Sequence, residues 1–143
     1  MFAPEYFARV APVDSLKRKQ FVKGITQLSE EGAIQTFRRL DIGIEEHIVG
    51  VVGVLQFDVL KFRLEGEYGA HVKMDRLPFR FVRWVQNEGV KPETLSLVST
   101  TRPAQDEDGR LVLLFENEWS INWALEHNEG LELSDTAPRT TKE

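Results

Sequence analysis

The segment from Val49 to Gly69 has the most informative hydrophobic pattern of the chain, because it predicts a buried strand followed by a helix with two apolar faces. On a wheel of 100° per residue, Leu55, Val59 and Phe62 fall within about 40° of one another. The opposite side of the wheel carries a second apolar group: Phe57, Leu60, Leu64 and Tyr68. A helix that only covers a sheet needs one apolar stripe. The pattern therefore predicts a second packing partner, in the later part of the chain or in another domain.

The first half of the chain shows strand and helix patterns in the order β-α-β-β-α-β. The predicted strands are 6–10, 34–39, 47–52 and 70–74, with a turn over 41–46. The first helix begins at a cap, Asp14 or Ser15, and ends before Gly32, which suits a left-handed residue. Two right-handed β-α-β units then interleave into a four-stranded antiparallel sheet with both helices on one face. This is the ferredoxin-like arrangement of the α+β class.

Pro78 separates this unit, residues 1–78, from the rest of the chain. The later pattern predicts a strand over 79–85, a short helix over 92–98, a polar loop over 100–109, a strand over 111–115 and a helix over 118–127. We interpret 79–133 as a C-terminal α/β extension of the same domain, packed on the outer face of the second helix. The polar tail over 134–143 is predicted to be disordered.

Composition narrows the function classes. The chain has 143 residues, 41% of them hydrophobic, and no cysteine, which excludes a disulfide scaffold and thiolate chemistry. No apolar run approaches the length of a membrane span, and the N-terminus lacks a secretion signal pattern, so we expect a cytoplasmic protein without membrane contact. The net charge of −5 is unusual for a stand-alone nucleic-acid binder. However, residues 1–70 carry nine Lys and Arg against ten Asp and Glu, so a local basic patch remains possible there.

The candidate binding residues are cations at the start of the first helix and at the end of the second strand. They are Lys17, Arg18, Lys19, Lys23, Arg38 and Arg39. Lys19 and Lys23 lie four residues apart on the polar side of the helix, where like charges cost about 0.2–0.5 kcal/mol. Cations in the first turns also oppose the helix dipole. Such local violations often mark function, here a contact with RNA phosphates or an acidic protein face; the alternative is a solvated face whose repulsion is tolerated. For Arg38 and Arg39 the alternative to a phosphate contact is a charge that guards the strand edge, which is the usual meaning.

Other motifs give weaker signals. One interpretation of Arg80 and Arg83, with Trp84, is that they stack on or pair with a nucleic-acid base. The other is that they form the polar face of a half-buried strand. The three histidines have no metal-ligand spacing, and no G-x-x-x-x-G-K-[ST] phosphate loop occurs, so we expect no catalytic, cofactor or metal residue. Gly50 and Gly53 are interpreted as positions of close backbone packing. Trp119 and Trp123, one helical turn apart, are interpreted as a packing pair.

Three blocks together carry a family resemblance: the opening FAPEYFARV, then LKRKQFVKGITQLSEEGAIQTFR, and GVVGVLQFDVLKFRLEGEYG. The chain resembles the C-terminal domain of the bacterial peptide chain release factor 3 family. The proteins of this family are translational GTPases. The likeness is dense from Phe2 to Tyr68, loose through Arg80 to Val85, and faint after Val90. It implies the same split β-α-β fold, and no family binding motif maps onto the basic residues.

The resemblance implies a non-catalytic domain that contacts the ribosome, through ribosomal RNA and ribosomal protein, during translation termination. In this family GTP, with Mg²⁺, is bound and hydrolysed by an N-terminal domain, and the whole factor removes codon-reading release factors after peptide release. This chain lacks the P-loop, so GTP and Mg²⁺ are expected only in the missing N-terminal domain of a parent protein. The expected partners are therefore the ribosome and the GTPase and second domains of the parent, and the isolated chain is expected to be a monomer.

Three alternatives remain at this point. An acylphosphatase-like enzyme on the same fold needs an anion cradle after the first strand, but the loop there contains Asp14 and no glycine. A stand-alone domain that senses a small molecule or dimerises through its sheet is compatible with the fold. A domain from another translational GTPase keeps the class but changes the factor, and the block from Val54 to Asp58 favours release factor 3.

Overall fold

The computed structural model describes residues 3–39 and 45–138, and its framework is an eight-stranded antiparallel sheet. The strands are β1 (Tyr6–Pro12), β2 (Gln35–Arg39), β3 (His47–Val51), β4 (Val72–Leu77), β5 (Phe81–Val85), β6 (Arg102–Asp106), β7 (Leu111–Phe115) and β8 (Leu133–Ser134). The helices are α1 (Arg18–Glu30), α2 (Gln56–Tyr68) and α3 (Glu118–His127), with 3₁₀ turns at Ser15–Lys17 and Pro92–Thr94. The strand order across the sheet is β4-β1-β3-β2-β6-β7-β5-β8.

The first half confirms the ferredoxin-like α+β prediction, with strands in the order β4-β1-β3-β2 and α1 and α2 inserted between them. The Asp14 side chain accepts a hydrogen bond from the Leu16 N–H at 2.9 Å and so begins the first helical segment. The predicted end of the first helix is also confirmed, since Gly32 has φ of 81°. The second helix ends at Tyr68, before Gly69 with φ of 64°. The predicted turn over 41–46 lies mostly outside the described residues, which resume at Glu45.

One face of this sheet buries both helices. Phe21, Ile25 and Leu28 of α1 are at most 3% exposed, and their spacing places them on one side of the helix. The inner group predicted for α2 joins the same core through Phe57, Leu60 and Leu64. Gly50 confirms the close-packing prediction, because a Cβ there would lie 2.8 Å from Pro4 Cβ. The same interpretation is wrong for Gly53, where the nearest neighbouring atom is the Gln56 Oε1 at 3.9 Å.

The predicted polar loop over 100–109 is wrong, because Arg102–Asp106 forms β6. This strand joins the two halves: it pairs with β2, where Phe37 faces Asp106, and with β7, where Ala104 faces Val112. Only Ala104 and Asp106 of β6 are buried, so the strand has no apolar run to mark it in the sequence. Its formation depends on the two neighbouring strands rather than on its own residues.

The extension does not pack on the outer face of α2, so that prediction is wrong. It continues the sheet and covers the sheet face opposite α1 and α2. Phe7, Phe37 and Ile48 of the first half share a buried cluster with residues of the second half: Phe79, Val82, Trp84, Ala104, Val112 and Leu114. The physical reason is that β1 and β3 carry apolar residues on both faces, so the side without helices also needs a cover.

The helix α3 covers the outer side of the second half through Ile121 and Ala124, which pack with Val85, Leu113 and Phe115. Ser134, predicted as the first residue of a disordered tail, instead pairs with Trp84 in β8. Residues 139–143 of that predicted tail lie outside the described residues. The boundary at residue 78 stays a prediction, since one sheet runs through both segments. None of α1, α2 and α3 is long and apolar enough to cross a membrane.

Candidate nucleic-acid interface

The three predicted lysines lie at the exposed beginning of α1. Lys17 ends the 3₁₀ turn, while Lys19 and Lys23 lie on α1 on the side away from its buried stripe. All three are exposed, and within residues 3–39 and 45–138 none has a carboxylate within 4.0 Å. Lys19 and Lys23 border a shallow depression of about 1010 Å³ together with Leu16, which is 86% exposed. The structure therefore presents three lysines without a carboxylate partner around the start of α1, and we call Lys17, Lys19 and Lys23 together the lysine face.

The three predicted arginines are placed differently, because each has a carboxylate partner. Arg18 and Arg38 both contact the Glu45 carboxylate, the latter with a separation of 3.1 Å. Arg39 pairs with Glu46 at 3.4 Å. The hydrogen bond from Arg38 lowers the pKa of Glu45, with smaller contributions from neighbouring positive charges. Glu45 and Glu46 thus balance much of the charge that the sequence assigned to Arg18, Arg38 and Arg39.

His47 lies between these pairs and the core. Its side chain is 11% exposed, and its ring meets the Phe21 ring edge to face at a centroid distance of 5.4 Å. Burial lowers the pKa of His47, and the nearby Arg18 and Arg38 lower it further, while Glu45 opposes the shift. The ring is therefore neutral at pH 7, and it adds no charge to the lysine face.

An acidic group limits the interface on its other side. Asp106, Glu107 and Asp108 border a cavity of about 360 Å³ that also reaches Arg38 and His47. Burial raises the pKa of Glu107, and the adjacent Asp108 and Asp106 carboxylates raise it further. The Ser29 hydroxyl donates a hydrogen bond to Glu107, which ties the C-terminal half of α1 to this group. A phosphate backbone would meet repulsion there, so the first turns of α1 are the favourable side of approach.

Trp84 cannot stack on a nucleic-acid base as the sequence suggested, because it is only 5% exposed. Its indole N–H donates to the Asp106 Oδ2 at 2.9 Å inside the core. The other Asp106 oxygen accepts the backbone N–H groups of Asp108 and Arg110, at 3.0 and 2.8 Å. This carboxylate network was missed in the sequence, where Asp106 fell within the predicted polar loop over 100–109. No local pattern indicates it, because Trp84 is brought to Asp106 by the pairing of β5 and β6 with β7.

The second apolar face predicted for α2 is present and is uncovered within the described residues. Leu55, Val59 and Phe62 are 74%, 55% and 78% exposed, and Val52 and Val54 beside them are 44% and 43% exposed. We call these five residues the α2 strip. Single exposed apolar residues are ordinary, but five in one continuous stretch of strand end and helix mark an interaction surface.

The tryptophans of α3 do not form the expected packing pair. Trp119 is 63% exposed, while the Trp123 ring stacks on the His127 ring with centroids 3.8 Å apart.

Comparison with known proteins finds one family match and many relatives with the same name. The family described as "Class II release factor RF3, C-terminal domain" matches residues 1–125. A peptide chain release factor 3 from Symbiobacterium thermophilum is 46% identical over 136 residues, which cover 95% of this chain and 26% of that protein. Release factor 3 proteins from Nostoc punctiforme and Listeria welshimeri are 40% and 39% identical, over 96% and 93% of this chain. The chain spans about a quarter of the length of these relatives.

Proposed function

Because the chain belongs to the C-terminal domain family of class II release factors, which act in translation termination, we propose that it is the non-catalytic domain through which a release factor 3 contacts the ribosome in the cytoplasm. It also couples that contact to the rest of the factor. In this proposal GTP and Mg²⁺ belong to the part of the parent protein that precedes this domain, as the resemblance to the release factor 3 family implies. The contact with ribosomal RNA or ribosomal protein removes codon-reading release factors only in the context of that whole factor.

The unbalanced charge of the lysine face is the observation that carries the ribosome contact. Lys17, Lys19 and Lys23 are exposed and without ion pairs in the described residues, whereas Arg18, Arg38 and Arg39 are engaged by Glu45 and Glu46. Release of condensed counterions by three phosphate contacts corresponds to a slope of about −2 to −3 in log K against log salt. With a net charge of −5 for the chain, the binding of the isolated domain is weak and sensitive to salt.

A matched pair of triple variants tests this contact. In the first variant the lysine face is neutralised with Lys17→Gln, Lys19→Gln and Lys23→Gln. In the control the same charge is removed from exposed lysines elsewhere with Lys61→Gln, Lys73→Gln and Lys91→Gln. Binding to purified ribosomes is measured by sedimentation between 50 and 200 mM salt, roughly the range over which phosphate contacts lose their strength. The first variant is expected to lose most of the binding and about 2 to 3 units of the salt slope, while the control keeps both. Equal losses in both variants would show that net charge, and not the lysine face, determines binding.

The coupling to the rest of the factor rests on the α2 strip. The family description places this domain at the C-terminal end of its proteins, so in the relatives about three quarters of the chain precedes it. The entry into β1 lies beside the strip, because the Glu5 N–H donates to the Val51 carbonyl at 2.9 Å and Val52 follows directly. A preceding domain is thereby tethered close to the strip, and tethering raises its effective concentration there.

Docking in trans tests this second contact. The segment of the Symbiobacterium thermophilum relative that precedes the matched region is produced separately, and its binding to this chain is measured by calorimetry. The Phe62→Ser variant is expected to weaken binding by about tenfold or more, as loss of a central aromatic anchor does. Leu125→Ser on α3 is the control, since Leu125 is also exposed, at 41%, but lies outside the strip. If both variants bind like the wild type, the strip is not the interdomain contact.

Self-association through the sheet, the alternative that the fold allowed, has less support. The sheet face without helices is covered by Trp84 and its neighbours from the second half. A dimer through the α2 strip is the remaining route. Sedimentation equilibrium distinguishes it, because the proposal predicts a monomer for the wild type, and a dimer that Phe62→Ser dissociates would favour self-association.

A further inference from the structure

The arginines without a carboxylate partner gather at one place. Arg76, Arg80 and Arg83 line a cavity of about 630 Å³ between the start of β1 and the connection from β4 to β5. Within residues 3–39 and 45–138, no carboxylate lies within 4.0 Å of any of the three. The other described arginines are engaged: six contact carboxylates, and Arg102 donates to main-chain carbonyl oxygens. We call the group of Arg76, Arg80 and Arg83 the arginine cleft.

Aromatic rings orient two of these guanidinium groups. The Arg76 guanidinium carbon lies 5.6 Å from the Tyr6 ring centroid and 5.1 Å from that of Phe57. The Arg83 guanidinium lies over the Phe81 ring at 5.3 Å, and its Nη1 donates to the Val82 carbonyl at 2.9 Å. Ring contacts hold the guanidinium plane without using its N–H donors. Most of the donors therefore remain available to a ligand that enters the cleft.

Arg80 is positioned by its main chain. Its backbone N–H donates to the Phe115 carbonyl at 2.9 Å, just before the β5–β7 pairing begins at Phe81. Its side chain is exposed and borders the same cavity as Arg76 and Arg83. The three guanidinium groups are thus carried by the end of β4, the turn after it and β5, which are joined to a common sheet.

The charge and the donor geometry of the cleft suit an anion. Two carboxylates, Glu5 and Asp135, also line the cavity, so the lining carries three positive and two negative charges. The lining is therefore net positive, and the geometry of its guanidinium N–H donors determines which anion fits. A phosphodiester carries one negative charge, and its two free oxygens accept the paired N–H donors of a guanidinium fork.

We propose that the arginine cleft binds the phosphodiester backbone of RNA. This inference rests on the proposed function for the source of that RNA, the ribosome, but it concerns a different surface from the lysine face. The cleft involves β1, β4 and β5, whereas the lysine face lies on α1. The chain therefore contacts RNA at two places, with lysines acting as point charges at one and oriented arginines acting at the other.

Nuclear magnetic resonance of the ¹⁵N-labelled chain tests the cleft without the ribosome. Arginine Nε–Hε signals are followed during titration with a single-stranded oligouridylate of twelve nucleotides at low salt. The signals of Arg76, Arg80 and Arg83 are expected to shift together, while that of Arg63, which is bound to Glu31 and Glu67, stays in place. A polyglutamate of twelve residues is the comparison ligand. No shift at the cleft with oligouridylate, or equal shifts with polyglutamate, would overturn the proposal.

Substitutions test the same site by affinity. Arg80→Gln removes one unpaired charge, and Arg63→Gln is the control that removes a charge already balanced by two carboxylates. Arg80→Gln is expected to weaken oligouridylate binding by about tenfold and to reduce the salt slope by about 0.7, the contribution of one contact to single-stranded RNA. Arg83→Lys keeps the charge but loses the fork, so a loss of roughly threefold or more is expected. If Arg80→Gln and Arg63→Gln bind alike, the cleft is not an RNA site.

Ribosome sedimentation with the same variants separates this proposal from the proposed function. If the lysine-face triple variant loses ribosome binding while oligouridylate shifts none of the cleft arginines, the ribosome contact stands and the cleft proposal is overturned. If oligouridylate shifts the cleft arginines but wild-type chain fails to sediment with ribosomes, the cleft stands as an RNA site and the ribosome contact fails.

Discussion

A single methyl group at Gly24 tests how closely α1 and α2 pack. Gly24 is buried in the middle of α1, and a Cβ built there lies 2.7 Å from Leu64 Cδ2 and 2.9 Å from Tyr68 Cδ2 on α2. Real Cβ atoms do not come this close to a neighbour, and Leu64 is fully buried, so it has little room to move. The variant Gly24→Ala therefore forces the two helices apart or distorts Leu64.

Two opposing effects determine how much Gly24→Ala changes the free energy of unfolding. Alanine stabilises a helix interior by about 0.8–1 kcal/mol relative to glycine. Overpacking of a well-filled core costs about 1–3 kcal/mol. Gly24→Ala is thus expected to lower the free energy of unfolding by about 0–2 kcal/mol. Gly66→Ala on α2 is the matched control, because nothing lies within 4 Å of a Cβ there and only the favourable helix term applies.

Urea unfolding followed by circular dichroism measures both variants. The difference between the two free energies of unfolding isolates the packing cost, since the helix propensity gain is common to both. We expect a difference of about 1–3 kcal/mol, with Gly66→Ala more stable than the wild type. If Gly24→Ala is stabilised as much as Gly66→Ala, the helices are not in the close contact described, and the account of the α1–α2 core fails.

Three further perturbations test the core, the buried histidine and the α2 strip. Asp106→Ala removes the acceptor of the Trp84 indole and is expected to cost about 3–5 kcal/mol in urea unfolding, because buried donors lose their partner; a cost below about 1 kcal/mol would contradict the network. The pKa of His47 is lowered by burial, so the unfolded chain binds the proton more strongly. Stability is full above the ordinary histidine pKa of about 6.5 and falls as the pH drops below it towards the lowered pKa; His47→Gln is expected to flatten the unfolding profile between pH 7.5 and 5.5, and an unchanged profile would count against the buried, neutral ring. Phe62→Ser is expected to change stability by less than about 0.5 kcal/mol, whereas Phe57→Ala on the opposite side of α2 costs about 3–5 kcal/mol; similar losses would mean that the strip is buried within the chain.

The ferredoxin-like half of the fold was predictable because its signals are local. The stripe of Phe21, Ile25 and Leu28, the cap at Asp14 and the left-handed Gly69 each specify one element without reference to the rest of the chain. The two apolar faces of α2 were also predicted, but the extension was wrongly assigned as the partner of the outer face, which is exposed at Leu55, Val59 and Phe62.

The second half was less predictable, since its elements depend on partners distant in sequence. The strand β6 contains Arg102 and Pro103, and its register is determined by β2 and β7 on either side. The apolar residues on both faces of β1, such as Phe7 beside Ala8, were the signal that the far side of the sheet needs a cover. The prediction placed the extension on the outer face of α2 instead of on this side of the sheet.

The candidate interface was also predictable only in part. A sequence shows which residues are cationic, so the lysine face was predictable from Lys19 and Lys23. It does not show that Glu45 contacts both Arg18 and Arg38, nor that Arg76 lies close to Arg80 and Arg83 without a carboxylate partner. The presence or absence of a carboxylate partner depends on tertiary structure, and it decides which positive charges remain available to a ligand.

Site-specific photocrosslinking tests the central claim, contact with the ribosome through α1, most directly. A benzophenone amino acid is placed at position 19 on the lysine face or at position 61 on α2, both of which are exposed lysines in the natural sequence. After irradiation with purified ribosomes at low salt, the account predicts crosslinks to ribosomal RNA or ribosomal protein from position 19. These crosslinks disappear at high salt and are absent from position 61. Equal crosslinking from both positions, or crosslinks from position 19 that persist unchanged at high salt, would contradict it.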